Sequence, residues 1–358
     1  MQRAKRAGPH LPAMAPALRA PLAALVCALV LLGSVASLAQ EVRYFRIGTG
    51  STAGTYFPIG GIIASAISKP PGSRDCAAGG SCGVPGLIAV AQSTKGSVDN
   101  VMGIAEGRLE SGLSQADISY WAHNGQGIFE ATGPIETLRS VANLFPEAVH
   151  VVVRRDAGIY KLSDLRGKRV SLDLEGSGTR VDALLILEAF GIGLDDMDEQ
   201  ALAAGDAADR LRDGELDAFV MVVGTPATAV VELADDSLIT LVPINGPEAE
   251  ALRQNYPFFA KNRIVSGTYF DVPSTETLSV GAQWLVSAEL PEDLVYELTR
   301  ALWHENTRRL LDNGHPKGKS IRKASALDGL VVPLHAGARR YYGEAETPVP
   351  GVTLDKTD

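Results

Sequence analysis

The chain has 358 residues, with 33 basic and 42 acidic side chains and a formal net charge of −9. That acidic balance argues against nucleic acid or an anionic membrane surface as a partner, and it leaves any anion site dependent on local dipoles. The length suffices for two domains with separate cores.

Arg3, Lys5, Arg6 and Arg19 precede the apolar stretch Leu22–Leu32, Gly33 and Ser34 end it, and Ser37-Leu38-Ala39 places small residues where a signal peptidase reads. Residues 1–39 are therefore expected to be a signal peptide, with cleavage before Gln40 and a periplasmic product. The alternative, an uncleaved anchor, suffers from an apolar run shorter than the ~20 residues that a span needs. Cys27 lies inside that run, which weakens a lipoprotein reading. Removing four basic and no acidic residues leaves 29 basic against 42 acidic, a net charge of −13.

The two remaining cysteines, Cys76 and Cys82, stand among Gly79, Gly80 and Gly83. In an oxidising compartment they are expected to form a disulfide. The closed loop is short, which puts its stabilisation near the lower end of about 2–4 kcal/mol. A redox-active pair is the alternative, without the Cys-x-x-Cys spacing that would favour it.

Beyond the leader, short apolar runs alternate with helical patterns, as in stacked βα units around a largely parallel sheet. In chain order the expected strands are 42–47, 87–91, 113–118, 140–144, 149–154, 169–173, 218–223, 238–242 and 279–286. Expected helices are 58–68, 98–106, 119–129, 179–190, 207–213, 226–233 and 247–255. The clearest helix is Pro291–Asp312, with proline at the start, Glu292 and Asp293 at the positive end, and Arg308 and Arg309 at the negative end. The strand at Val149 and a return over Thr277–Val286 are candidate crossings between two lobes, and hence a hinge. The corresponding division is 40–149 and 277–358 for the first lobe and 150–276 for the second.

Two loops carry the chemistry. Gly48-Thr49-Gly50-Ser51-Thr52-Ala53-Gly54-Thr55-Tyr56 and Glu175-Gly176-Ser177-Gly178-Thr179-Arg180 each follow an apolar run and open a helical segment. Backbone N–H groups, small hydroxyls and a positive helix end make such a loop an anion clamp. The first also matches Gly-x-Gly-x-x-Ala formally, but Pro58 delays the helix, the expected acid falls at Asp75 in the cysteine loop, and export removes access to NAD. A plain tight turn is the bland reading of the first loop, and helix capping by Ser177 or Thr179 that of the second. Arg180 can hold a carboxylate or pair with Glu175 or Asp182.

Polar residues at other strand ends, Ser93, Gln115, Asp117 and Thr225, stand where open α/β sheets bind ligands. Asn100 can reach the same cleft, and Tyr56, Tyr120 or Trp121 can cover a ligand. Nucleophile elbows, zincin motifs and Walker loops are missing from the sequence, and His123, His150, His304, His315 and His335 are scattered, so neither an enzyme nor a metal or cofactor site is expected.

Phe45–Gly50 through Tyr56-Phe57-Pro58, Gly96–Asn100, Ser114–Asp117, Asp164–Val170 and Gly176–Thr179 together resemble the TAXI family, the extracytoplasmic solute receptors of TRAP transporters. The resemblance covers most of the exported chain. It implies a two-lobed periplasmic-binding-protein fold of type II topology, working as a monomer and delivering a small organic anion to a TRAP membrane permease driven by an ion gradient. The ligand class it implies is a glutamate-like amino acid or a dicarboxylate such as 2-oxoglutarate. Carried onto this sequence, the cleft positions are Thr49, Gly50, Ser51, Tyr56, Ser93, Asn100, Gln115, Asp117, Ser177, Gly178 and Thr179. Arg180 and Thr225 join them on chemistry alone. Presentation to a sensor, or an enzyme on the same scaffold, are the competing readings.

Overall fold

The computed structural model describes residues 42–344; the expected signal peptide lies outside them. Among the described residues no helix is long and apolar enough to cross a membrane.

In the first part of the chain, β1 (Arg43–Gly48) leads into α1 (Tyr56–Ile67), then a small pair, β2 (Ser68–Lys69) and β3 (Val84–Pro85). The expected Cys76–Cys82 disulfide closes the loop between them. β4 (Leu87–Gln92), α2 (Ser97–Ala105), β5 (Ser111–Gln115) and α3 (Ala116–Asn124) follow, and β6 (Leu138–Arg154) is the first long strand. The second part alternates β7 (Arg169–Ser171), α4 (Gly178–Ala189), β8 (Asp198–Gln200), α5 (Ala204–Arg212), β9 (Ala218–Val223), α6 (Thr228–Asp235), β10 (Ile239–Leu241), α7 (Pro247–Asn255) and β11 (Ala260–Ile264). The long β12 (Thr275–Ser287) then returns to the first part, where α8 (Glu292–Leu302), α9 (Glu305–Gly314) and α10 (Ala336–Glu344) complete it.

The strands run β4-β1-β5-β12-β6 in one half and β8-β7-β9-β6-β10 in the other. In each half the second, first and third strands are parallel, and an antiparallel strand belonging to a crossing separates them from the fourth. This is the type II arrangement of a two-lobed α/β fold, repeated in both lobes. β6 and β12 take part in both halves and pair antiparallel with each other, Glu147 opposite Val280 and Ala148 opposite Ser279. They form the hinge of crossing strands.

Each half-sheet has apolar packing on both faces. Phe45, Ile47, Ile59, Ile63 and Trp284 form one core of the first lobe, and Val101, Ile104, Ile118 and Leu138 another. Val151, Val170, Ile186 and Val220 fill one side of the second lobe, and Phe219, Met221, Val230 and Leu233 the other. Strands covered on both faces explain why these runs read as continuously apolar.

Several boundaries differ from those expected. Residues 140–144 and 149–154 belong to one strand, because Pro146 is accommodated opposite Gly281 without ending it. The strand expected at 113–118 stops at Gln115, where Ala116 begins α3, and the helix expected to run to Phe129 ends at Gly125 in a left-handed conformation, φ 63°. Pro291–Asp312 is two helices: His304 is extended and its Nδ1 accepts from the Asn306 N–H, capping α9 and breaking the continuous pattern.

Candidate functional site

Between the lobes lies a cavity of about 60 Å³, room for roughly four or five waters. Its wall includes the starts of three helices: Thr55 and Tyr56 at α1, Gly96 and Ser97 at α2, and Ser177, Gly178 and Thr179 at α4. Gln115, immediately before α3, and Ala204, the first residue of α5, complete a ring of five helix N-termini. The first N–H groups of a helix have no partner within it, and each start carries roughly half a positive charge, so the ring favours an anion.

Of the residues expected to bind ligand, Gly50, Ser51, Tyr56, Gln115, Ser177, Gly178 and Thr179 line this cavity. Thr49, Ser93 and Asn100 stand behind it and hold the loop. Thr49 Oγ1 donates to the Gln92 carbonyl at 2.7 Å, Ser93 Oγ to the Gly50 carbonyl at 2.9 Å, and Asn100 Nδ2 to the carbonyls of Thr49 and Leu113 at 2.7 Å. Arg180 lies off the cavity in a part-buried ion pair with Glu199 of neighbouring β8. Thr225, ahead of a cis bond to Pro226, is not on the wall either. Tyr120 and Trp121 line a separate apolar groove with Tyr256 and Phe258, where the Trp121 and Phe258 rings meet edge-on at 5.2 Å.

The α4 hydroxyls are committed to the fold. Ser177 Oγ accepts from the Arg180 N–H at 3.1 Å, as an N-cap should, and Thr179 Oγ1 accepts from the Val222 N–H of β9 at 3.0 Å. Gly178 is required by a close approach: a Cβ there would lie 1.3 Å from Gln115 Oε1. Gly96, at φ 124°, adopts a backbone that other residues rarely take, with Ser177 close beside it. Contacts such as Asp99 N–H to the Gly176 carbonyl at 3.0 Å and Thr55 Oγ1 to the Gly224 carbonyl at 2.9 Å join the lobes, so the cleft is closed.

Sequence reasoning missed two acids on the wall, Glu147 and Asp173. Glu147, on β6 where the crossings meet, is 2% exposed and accepts from Tyr56 Oη at 2.5 Å. Burial pushes its carboxyl up to about 8, against the opposing influence of Tyr56 and Lys317. Asp173, at φ 75° beyond the end of β7, is pushed up to about 6, again chiefly by burial. A neutral Glu147 at pH 7 offers an anion a proton rather than a repelling charge. Its signal was a lone acid inside the apolar run from Val141 to Val153.

The sequence matches the NMT1-like family over residues 47–345. The chain belongs to that family. Among solved structures it is similar to the alkanesulfonate-binding protein SsuA from Xanthomonas axonopodis pv. citri bound to MOPS, at 15% identity and a TM-score of 0.46, covering 85% of each chain. PhnD1 from Prochlorococcus marinus in complex with methylphosphonate is similar at 12% identity and a TM-score of 0.46, over 75% of this chain and 89% of that one. A TctC solute binding protein from Polaromonas is similar at 16% identity and a TM-score of 0.43, over 86% and 98%.

Proposed function

We propose that this NMT1-like protein is an extracytoplasmic solute receptor that closes on a small organic anion and releases it to a membrane permease. The observation that carries this reading is the ring of five helix N-termini around one interlobe cavity. A ligand carboxylate docks against the first turns of α2 and α4, which come from different lobes, so binding favours closure. The wall residues Gly50, Ser51, Tyr56, Gln115, Ser177, Gly178 and Thr179 contact it, while Thr49, Ser93, Asn100 and Asp117 act from behind. Lobe boundaries near residues 149 and 276 fit the two crossings. The TAXI resemblance supports a glutamate-like amino acid or a dicarboxylate such as 2-oxoglutarate as the ligand, and a TRAP permease as the recipient. Binding rather than catalysis is the role we assign.

A thermal-shift series with L-glutamate, 2-oxoglutarate, succinate and the uncharged amide succinamide tests this. An acid present at 100 times its Kd stabilises the protein by about 2.7 kcal/mol, and succinamide does not. Stabilisation by succinamide alone would overturn the anion reading.

A further inference from the structure

A pair of buried acids bridges the lobes behind the cavity. Asp117 is the second residue of α3 in the first lobe, and Asp182 stands in the second turn of α4 in the second lobe. Both are fully buried, and each carboxyl acts directly on the titration of the other. Gln115 Nε2 donates to Asp182 Oδ2 at 2.8 Å, and Ser97 Oγ fixes Gln115 from the other side at 3.1 Å. Asp117 Oδ1, Asp117 Oδ2 and Asp182 Oδ1 are buried with no hydrogen-bond partner among the described residues. Carboxylates only accept, so two ionised groups in this arrangement would repel each other with three oxygens unsatisfied. One proton between them turns one carboxyl into a donor and the other into its acceptor.

We propose that Asp117 and Asp182 form an interlobe proton site, so that closing the cleft binds one proton in addition to the ligand. Because the two acids belong to different lobes, opening separates them and returns each to an ordinary carboxylate. The start of α3 favours the charge on Asp117, which leaves Asp182 as the member that keeps the proton. Glu147 of β6 is itself buried with its carboxyl raised and accepts from Tyr56 of α1, Lys317 acts on Glu147 without pairing with it, Asp173 stands on the cavity wall, and Arg180 of α4 is paired with Glu199. Burial raises both members of the pair, and Asp117 raises Asp182 further. The linkage has a fixed sign. The closed form holds more protons than the open form between the ordinary carboxyl range and the raised one, so closure is favoured by acid. It weakens by about tenfold per pH unit as pH rises through that window.

This goes beyond the anion reading and is tested without ligand. Small-angle scattering of the ligand-free protein should give a smaller radius of gyration at pH 5 than at pH 8. Asp182→Asn puts a permanent donor opposite Asp117 and should keep the small radius at both pH values; Asp117→Asn should do the same. A wild-type radius that is constant from pH 5 to 8 would overturn the proposal. So would a folded Asp182→Asn or Asp117→Asn protein whose radius changes with pH as the wild type does, because the titrating groups would then lie elsewhere. Either failure leaves the anion reading intact, since the thermal-shift series depends on bound acids and not on pH.

Discussion

The two glycine-rich loops look alike in composition, but they meet the cavity differently. The loop at Gly48–Tyr56 is braced from behind: Thr49, Ser93 and Asn100 tie its backbone to neighbouring strands, and Thr55 reaches across to Gly224. The loop at Glu175–Arg180 is braced from within, by its own cap at Ser177, and from the other lobe, by Gln115 against Gly178. In both, the hydroxyls that suggested ligand contacts mostly hold the backbone. The helix starts face the cavity, together with the ionisable side chains of Lys95, Glu147 and Asp173. A loop's hydroxyl content thus reports how its backbone is held, and the anion preference comes from the dipoles that the held backbone aims.

The largest expected effect comes from one methyl group placed in each loop. Gly178→Ala puts a Cβ into Gln115 Oε1, with Ser97 Oγ only 2.9 Å away. Gln115 is held by Ser97 and Asp182, so making room for the methyl group breaks one of those bonds or pushes α4 away from Gln115. Overpacking of this kind costs about 1–3 kcal/mol. Gly50→Ala meets nothing nearer than 3.9 Å and should be tolerated. Calorimetric titration with the acid that gives the largest thermal shift should show Gly178→Ala binding at least several-fold more weakly, and thermal melts should show Gly50→Ala as stable as the wild type and Gly178→Ala less stable. Equal losses in the two variants would erase the difference drawn between the loops.

Next in size are the braces themselves. Ser177→Ala removes the α4 cap and should lower stability by about 0.5–2 kcal/mol. Thr49→Val removes the bond to Gln92 and should cost about 0.5–1.5 kcal/mol. Melting temperatures should fall in both while affinity for the stabilising acid stays near the wild-type value. A variant that keeps its melting temperature but loses affinity would place that hydroxyl on the ligand instead.

The alternation of apolar runs with helical patterns made the two-lobed α/β architecture legible, because parallel strands covered on both faces have little other sequence appearance. Six residues of the two loops and Gln115 at a strand end, all expected in the cleft, line the cavity. Pairings between distant segments were not legible. Glu147 gains Tyr56 only when β6 meets the start of α1, and Asp182 meets Asp117 only when two lobes close, so neither local spacing nor composition records the contact. The split of the helix expected at Pro291–Asp312 escaped for a related reason: a histidine acting as a cap is a local competition that apolar periodicity ignores.

Arg180 provides the most discriminating test, because sequence reasoning offered it both as a carboxylate holder and as an ion-pair partner. In the structure its guanidinium pairs with Glu199 of β8, with side-chain exposures of 15% and 19%. Side chains this far from solvent form a pair that costs more to break than an exposed one, because removing Arg180 leaves the Glu199 charge part-buried and unpaired. Loss of a charged hydrogen bond to the ligand would instead weaken binding by about 1.5–3 kcal/mol. Arg180→Ala should therefore lower the melting point and leave the titration curve of the stabilising acid unmoved. Arg180→Ala combined with Glu199→Ala should cost little more than the single change, since each removes the same pair. If Arg180→Ala instead weakens binding tenfold or more with an unchanged melting point, the second loop holds its ligand by a side-chain cation, and the helix starts are secondary.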